Sequence, residues 1–291
     1  MTLIGGRCSL RSEAAAEPLA GTASTIRHWM LLEHAGPWGR DALCDARIPD
    51  QLGAALRRLE RRSGARVLLI RRTGGRLDGG VACFAADTAQ PWLGRARLDR
   101  IEDAAGLDPR TRDAFESVTD PLVVVCTHGR RDPCCAERGR PLAVATAAAF
   151  PEVTWESSHI GGDRFAGNLV AFPHGLYFGR VEPGRGPEIV RSFSAGRIVL
   201  DRFRGRSCHP MHVQAAEVGL RTSLGLDGVD EVTFERAGAE DDRVTVTFGT
   251  RTGRFVVRLE RGGGPPMRLT CHSEREEIPT AWRLLGIDRA P

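Results

Sequence analysis

Apolar residues along this chain fall into short, strand-sized runs, separated by arginine- and acid-rich stretches that carry a helical period. Residues 26–32 (Ile-Arg-His-Trp-Met-Leu-Leu) read as a strand leading into a turn-rich loop with Gly36, Pro37 and Gly39. Pro49-Asp50 opens a helix with Leu52, Leu56 and Leu59 on one face and arginines on the other, and Ser63-Gly64 stops it. Residues 66–71 are a buried-type strand, which completes a βαβ-like unit, and 77–85 predict another strand. A polar stretch over 98–109 and a short helix ending near Val118 follow.

A second block begins after Asp120-Pro121. Residues 122–125 form a strand that delivers Cys126 at its carboxyl end, 127–138 are a loop, and 141–150 an alanine-rich helix. Residues 153–156 are a further strand with His159 just beyond it, and Gly161-Gly162 lets the backbone bend or approach a neighbour closely. Residues 168–172 and 176–181 make a hairpin whose Pro173-His174-Gly175 turn places His174 in solvent. A third block holds a helix over 213–223, strands over 231–235, 244–248 and 255–260, and a closing strand over 267–271. The expected domains are 1–118, an N-terminal α/β region; 119–195, the cysteine-bearing module; and 196–291, a C-terminal α+β region. The fold class is α/β, α+β in parts.

Charge narrows the function classes. The 41 basic residues are all arginine, the acids number 37, and the net charge is only +4. Nucleic-acid binding calls for basic residues gathered on one element with aromatics between them. Arg57-Arg58 with Arg61-Arg62 reads as the solvated face of a helix, and the remaining cluster is Arg202, Arg204 and Arg206. This argues against nucleic acid as a partner. The start of the chain has no apolar signal-like core, and the longest apolar runs fall far short of a bilayer span. No membrane partner is expected, and the expected location is cytoplasmic, where cysteines stay reduced.

The candidate chemistry lies between Cys126 and Asp163. Cys126, Cys135 and His159 are thiol and imidazole donors strung along one α/β unit, with the Asp163 carboxylate four residues past the histidine. Thiolate plus imidazole is the ligand set of iron–sulfur, zinc and thiol-redox centres. Each residue also has a plain local reading. Cys126 is a core cysteine at a strand end, His159 caps a turn, Asp163 pairs with an arginine, and one of Cys134 and Cys135 is structural. Cys44 and Cys83 read as small buried hydrophobes. Cys8 falls in a mobile terminus, and Cys208-His209 with His212 in a linker beside Pro210. Cys271 stands at the end of the closing strand, and nothing in the sequence brings it or Cys208 to the Cys126 loop.

Several long motifs carry a resemblance. Trp29-Met-Leu-Leu-Glu-His-Ala-Gly-Pro-Trp-Gly-Arg-Asp-Ala-Leu43, Cys126-Thr-His-Gly-Arg-Arg-Asp-Pro-Cys-Cys135 with its continuation to Pro141, and Ser158-His-Ile-Gly-Gly-Asp-Arg-Phe-Ala-Gly-Asn168 resemble sucrase/ferredoxin-like proteins. Pro173-His-Gly-Leu-Tyr-Phe-Gly-Arg180 and Cys208 with Gln214-Ala-Ala-Glu217 continue the match. The resemblance implies a thioredoxin-like ferredoxin module, here flanked by the N-terminal βαβ-like unit and a small C-terminal antiparallel sheet. It also implies a [2Fe-2S] cluster held by two cysteines and two histidines. Carried over residue by residue, it assigns Cys126 and Cys135 as thiolate ligands and His159 as the first histidine. Asp163 occupies the second histidine position. A carboxylate there is harder and anionic, favours ferric iron and lowers the potential relative to imidazole. His128 and His174 are alternative fourth ligands, and a chain without a cluster is the third outcome. The sugar-cleaving half of the family name finds no recognisable pair of carboxylates.

The expected function is therefore one-electron transfer with an unidentified redox partner protein, rather than an enzyme with its own substrate. The cysteine side should be the more buried, and Arg130, Arg131, Arg138 and Arg164 would steer an acidic partner. The competing readings are a thiol-based reductase or peroxidase using Cys126 in its arginine-rich loop, and a structural zinc site.

Overall fold

A computed structural model describes residues 6–74 and 79–290. It is a mixed α/β structure with 28% helix and 32% strand. In the N-terminal half, β1 (His28–Glu33), helices α2 (Ala42–Asp45) and α3 (Asp50–Ser63), and strands β2 (Arg66–Arg71), β3 (Val81–Asp87), β4 (Trp92–Leu98) and β5 (Glu116–Ser117) follow a short helix α1 (Cys8–Ala14). Next come β6 (Leu122–Cys126), α4 (Pro133–Ala149), β7 (Thr154–Ser157), β8 (Leu169–Phe172), β9 (Leu176–Phe178), α5 (Gly186–Ser194) and β10 (Phe203–Arg206). Helix α6 (Met211–Leu224) precedes β11 (Val232–Glu240), β12 (Arg243–Thr250), β13 (Gly253–Gly263) and β14 (Thr280–Arg289).

Ten strands form one curled sheet in the order β10-β9-β8-β6-β7-β2-β1-β3-β4-β5. Its two halves repeat one plan. β6 and β7 are parallel across α4, and β8 and β9 add on antiparallel beside β6. β1 and β2 are likewise parallel across α3, with β3 and β4 antiparallel beside β1. The halves meet where β2 pairs antiparallel with β7 at Ile70–Ser157 and Arg71–Glu156. The N-terminal βαβ-like unit is thus a second copy of the thioredoxin-like half-sheet. Glu33 ends its first strand where Cys126 ends the other.

The strands that bury both faces are continuously apolar, as expected of parallel strands covered on each side. One face packs Met30, Leu32, Val67 and Leu69 under Leu52, Leu56 and Leu59 of α3. Val123, Val125 and Leu169 lie under Leu142 of α4 and Ile189 and Val190 of α5. The inner face of the curl is filled by its own side chains, among them Trp29, Trp155, Val170, Phe172 and Tyr177. The small sheet, β11-β12-β13-β14, packs Val246, Phe248, Val257 and Leu259 against Val213, Ala216 and Leu220 of α6.

Several elements differ from the pattern-based reading. Helix α4 starts at Pro133, not at Pro141, so Cys134 and Cys135 lie in its first turn and not in a loop. Asp132 is its N-cap, accepting from Cys134 N–H at 2.9 Å, and Pro133 takes the first helical position, where a missing N–H costs nothing. Pro141 removes one rung of the ladder without ending the helix. The short helix expected to end near Val118 is not formed: turns lead into β5 there, and a 3-10 turn over Ile101–Gly106 lies within the stretch read as polar. The closing strand is β14 and not 267–271, because the connection before it runs through Gly264, Pro265 and Pro266 and makes a single bridge, Met267 to Glu277. Residues 77–78 of the strand expected over 77–85 lie outside the described residues; the strand itself runs Val81–Asp87.

Candidate metal centre

Cys126, Cys135 and His159 each offer one donor atom, and the three atoms lie within 4.8 Å of one another. Three elements deliver them: the end of β6, the first turn of α4 and the loop after β7. The close approach of α4 to β6 depends on Gly139. A Cβ there would stand well under 3 Å from the Cys126 carbonyl oxygen, so only glycine lets the helix lie against the strand end. Both cysteines are 1% exposed, whereas the His159 side chain keeps 21% of its surface. The sulfurs face the core and the imidazole faces outward, as the sequence led us to expect.

Asp163 adjoins the group. Its Oδ1 accepts from Cys135 Sγ at 3.2 Å and lies 3.1 Å from His159 Nδ1. That ring nitrogen is buried without a well-aligned hydrogen-bond partner among the described residues, despite the short distance. Burial alone would lower the His159 pKa, but Asp163 and Cys126 hold it up at about 9. Burial opposes charge on Asp163 too, yet His159 and Cys135 keep its carboxyl below the usual range. The hydrogen bond from Cys135 and the neighbouring imidazolium hold the Cys126 thiol well below its ordinary value, while that same bond, burial and Asp163 push Cys135 well above. These shifts favour negative charge on Cys126 and a proton on His159, beside the Asp163 carboxylate.

The loop carrying His159 and Asp163 is held from below. Ser24 Oγ and Tyr177 Oη donate to the Ile160 carbonyl at 3.0 and 2.9 Å, and Asn168 Nδ2 donates to the Gly162 carbonyl at 2.7 Å. Gly162 has φ of 78°, and the Arg204 guanidinium fills the space where a side chain would point. Arg204 is fully buried; it donates to Asn168 Oδ1 at 2.7 Å, to Thr22 Oγ1 at 3.0 Å and to the Thr22 carbonyl, and lies over the Phe165 and Tyr177 rings. Sequence reasoning missed these supports. The alternation of Arg204 and Arg206 with apolar or small neighbours in β10 was the available signal. Of the basic cluster Arg202, Arg204 and Arg206, Arg202 is half-buried while Arg204 and Arg206 are interior, with Arg206 paired to Glu217 at 2.9 Å.

Other candidates separate from the group. His128 is fully engaged: its Nε2–H donates to the Gly39 carbonyl at 2.8 Å and its Nδ1 accepts from His159 N–H at 3.1 Å. It therefore positions the His159 backbone and has no lone pair left for a metal. His174 is not solvent-exposed; its ring packs edge-on against Phe193, and burial lowers its pKa to about 4. Arg138 and Arg164 are paired with Glu13 at 3.1 Å and Glu17 at 2.8 Å. The cavity beside His159, of about 470 Å³, is instead lined by Arg40, Arg61, Arg66 and Arg131 together with Asp41 and Glu60. Cys83 is buried as expected, but Cys44 is exposed, because it follows Leu43, the one residue of the short α2 that faces the core. Cys8 is not in a mobile terminus but buried in α1.

Among the described residues no helix is long and apolar enough to cross a membrane. The chain is similar to proteins named "Altered inheritance of mitochondria protein 32". That of Candida glabrata is 36% identical over 105 residues, 31% of this chain and 34% of the relative. That of Meyerozyma guilliermondii is 33% identical over 101 residues, covering 31% and 36%. That of Saccharomyces cerevisiae strain YJM789 is 30% identical over 109 residues, covering 33% and 35%. The chain thus spans about a third of the length of these curated relatives. No solved structure matches. A family model described as sucrase/ferredoxin-like matches residues 19–205, which takes in both half-sheets and every residue of the Cys126 group, and the chain belongs to that family.

Proposed function

We propose that the protein is a one-electron carrier whose [2Fe-2S] cluster is held by Cys126, Cys135 and His159, with Asp163 in the fourth position. The observation that carries this reading is the convergence of two buried thiols and an imidazole nitrogen without an aligned partner at one point, beside a carboxylate already in contact with two of them. The donor set fits the group in number and softness: two thiolates for one iron, a harder pair for the other. A bound cluster of this kind supplies reversible one-electron chemistry at a potential set by its ligands.

The chain's own residues do the rest. The apolar inner face around Cys126 and Cys135, which includes Trp155, Ile160 and Val170, excludes water from the thiolate side. His159, at the rim, gives the electron its shortest way out and can hold a proton on whichever ring nitrogen does not ligate. Arg40, Arg66 and Arg131 at the mouth favour an acidic redox partner, whose association would weaken as salt rises.

Anaerobic purification with a visible spectrum and iron and sulfide analysis tests the reading. Charge-transfer bands with two irons and two sulfides per chain, lost in Cys126→Ser and changed in Asp163→His, are expected. A colourless chain that stays iron-free after attempted cluster reconstitution sinks it.

One observation favours a thiol-based alternative: the Cys126 sulfur lies within 4.8 Å of a His159 ring nitrogen, and that neighbour helps hold its pKa below the ordinary value, as in an activated nucleophile. Its 1% exposure opposes attack on any bulky substrate. Rapid, selective alkylation of Cys126 in the colourless chain would support it.

A further inference from the structure

Cys134 and Cys135 are consecutive in a helix, so their side chains diverge by about 100°. Cys135 enters the group described above, and Cys134 enters another. Cys8 of α1, Asp132 and Cys134 of the α4 start, and Cys271 in the irregular connection between β13 and β14 each offer a donor atom within 4.8 Å of every other. The three sulfurs form a near-equilateral triangle: Cys8–Cys134 3.6 Å, Cys134–Cys271 3.4 Å and Cys8–Cys271 3.6 Å. The Asp132 carboxylate oxygens stand 3.9 and 3.8 Å from the Cys8 sulfur.

We propose that Cys8, Cys134, Cys271 and Asp132 form a structural zinc site that ties α1 and the β13–β14 connection to the first turn of α4. Tetrahedral zinc, with Zn–S of about 2.3 Å and Zn–O of about 2.0 Å, sets its sulfurs about 3.8 Å apart and a sulfur and an oxygen about 3.5 Å apart. The observed group reaches that geometry by opening its sulfur triangle, and closing the Cys8–Asp132 separation, by a few tenths of an ångström.

The surroundings are those of a ligand shell. Cys8 N–H donates to Cys271 Sγ at 3.4 Å and Ser9 Oγ–H to Cys134 Sγ at 3.3 Å, so two of the sulfurs already receive the hydrogen bonds that a thiolate ligand takes. Asp132 is buried and fixed by Cys134 N–H at 2.9 Å and Cys271 N–H at 2.7 Å, which leaves each of its oxygens a lone pair for a cation. The positive end of the α4 dipole adds to the stability of the anionic set.

The alternatives fit less well. A disulfide would use two of the sulfurs and leave the third, and the carboxylate, unmatched. Copper(I) would have no use for the carboxylate, and magnesium or calcium none for the sulfurs. Four protein donors close the coordination shell, which marks a structural rather than a catalytic ion. The need for one is visible too. Helix α1 has seven residues, and a helix of that length has marginal stability by itself. The β13–β14 connection is longer than most ordered loops and makes one bridge. Where these segments meet α4, the buried cluster consists of Cys8, Cys134 and Ala166, with Cys271 packed against it.

The test uses the full chain, with zinc and iron measured separately by mass spectrometry. One zinc per chain is expected, retained in Cys126→Ser and reduced at least tenfold in Cys8→Ser and in Cys271→Ser. In the unsubstituted chain, Cys271, the most exposed of the three, should be alkylated by iodoacetamide at least tenfold faster after zinc is removed with a chelator, and protected again when zinc is restored. That measurement stands even where a variant does not fold. Zinc that disappears with Cys126→Ser but persists in Cys8→Ser, alkylation of Cys271 indifferent to zinc, or a disulfide among the three in protein prepared under reductant overturns the proposal. The iron content reports on the Cys126 group independently, so the two readings fail separately.

Discussion

Replacing glycine by alanine in a helix ordinarily stabilises it by about 1 kcal/mol, because alanine has less backbone entropy to lose. Gly139 in α4 and Gly219 in α6 offer the same substitution with opposite predicted signs. At Gly219 the nearest atoms to an added methyl are Leu284 Cδ1 and Cδ2 at 3.6 and 3.7 Å, ordinary van der Waals contact at the end of a flexible side chain. Gly219→Ala should therefore raise stability by roughly 0.5–1 kcal/mol. At Gly139 the added methyl meets the carbonyl oxygen and carbon of Cys126, backbone atoms that no rotamer change can move. Overpacking of this kind costs about 1–3 kcal/mol, toward the upper end where both partners are main chain. After the propensity gain, a net loss of roughly 2 kcal/mol remains. Because the clash separates α4 from β6, it also separates Cys135 from Cys126, so metal retention should fall in Gly139→Ala and stay unchanged in Gly219→Ala. Chemical denaturation of the two variants, with iron and zinc content measured alongside, checks both statements. A Gly139→Ala chain as stable as Gly219→Ala would refute the account of how the thiols are brought together.

The buried triad of Glu217 with Arg206 and Arg221, both at 2.9 Å from Oε1, fixes α6 to the sheet, and Glu217→Gln should cost about 3–5 kcal/mol by leaving two buried guanidiniums uncompensated. Burial would raise the Glu217 pKa, but the two arginines hold it below 4.5; the stability it contributes is thus complete above pH 4.5 and is lost as pH falls through the lowered value, so the variant's acid unfolding should be shallower than the parent's. His159 has the opposite sign. Its pKa in the metal-free chain is raised from 6.5 to about 9, so its contribution is complete below pH 6.5 and vanishes as pH rises through about 9, and His159→Gln should flatten the stability profile in that window. Equal slopes for parent and variant would contradict the thiolate–imidazolium pairing.

Much of the fold is written in local pattern. Leu52, Leu56 and Leu59 recur on a helical period, residues 67–70 and 122–126 are unbroken apolar runs, and Gly64 ends α3 in the left-handed conformation that glycine favours. Such signals survive in one dimension because they reflect interactions between residues a few positions apart. The Cys126 group was legible for a similar reason: its donors sit at the ends of consecutive elements of one βαβ unit, where parallel pairing of β6 and β7 forces them to the same edge. The Asp132-Pro133 start of α4 was misread because Pro141 also looked like a beginning; only the completed hydrogen-bond ladder distinguishes them.

What tertiary structure alone decided concerns residues far apart in the chain. Cys8 and Cys134 are 126 positions apart, and Cys134 and Cys271 are 137, yet all three sulfurs touch. No spacing rule reports such a cluster, because it exists only after α4 has packed in the sheet and α1 and the β13–β14 connection have come to its first turn. The same holds for Arg204, which the sequence showed only as one of a basic cluster and whose place is beneath the Gly161-Gly162 turn. The sequence determined which elements form and which donors one βαβ unit presents. The packing of distant segments decided which polar groups are buried together, because burial is a property of the assembled chain.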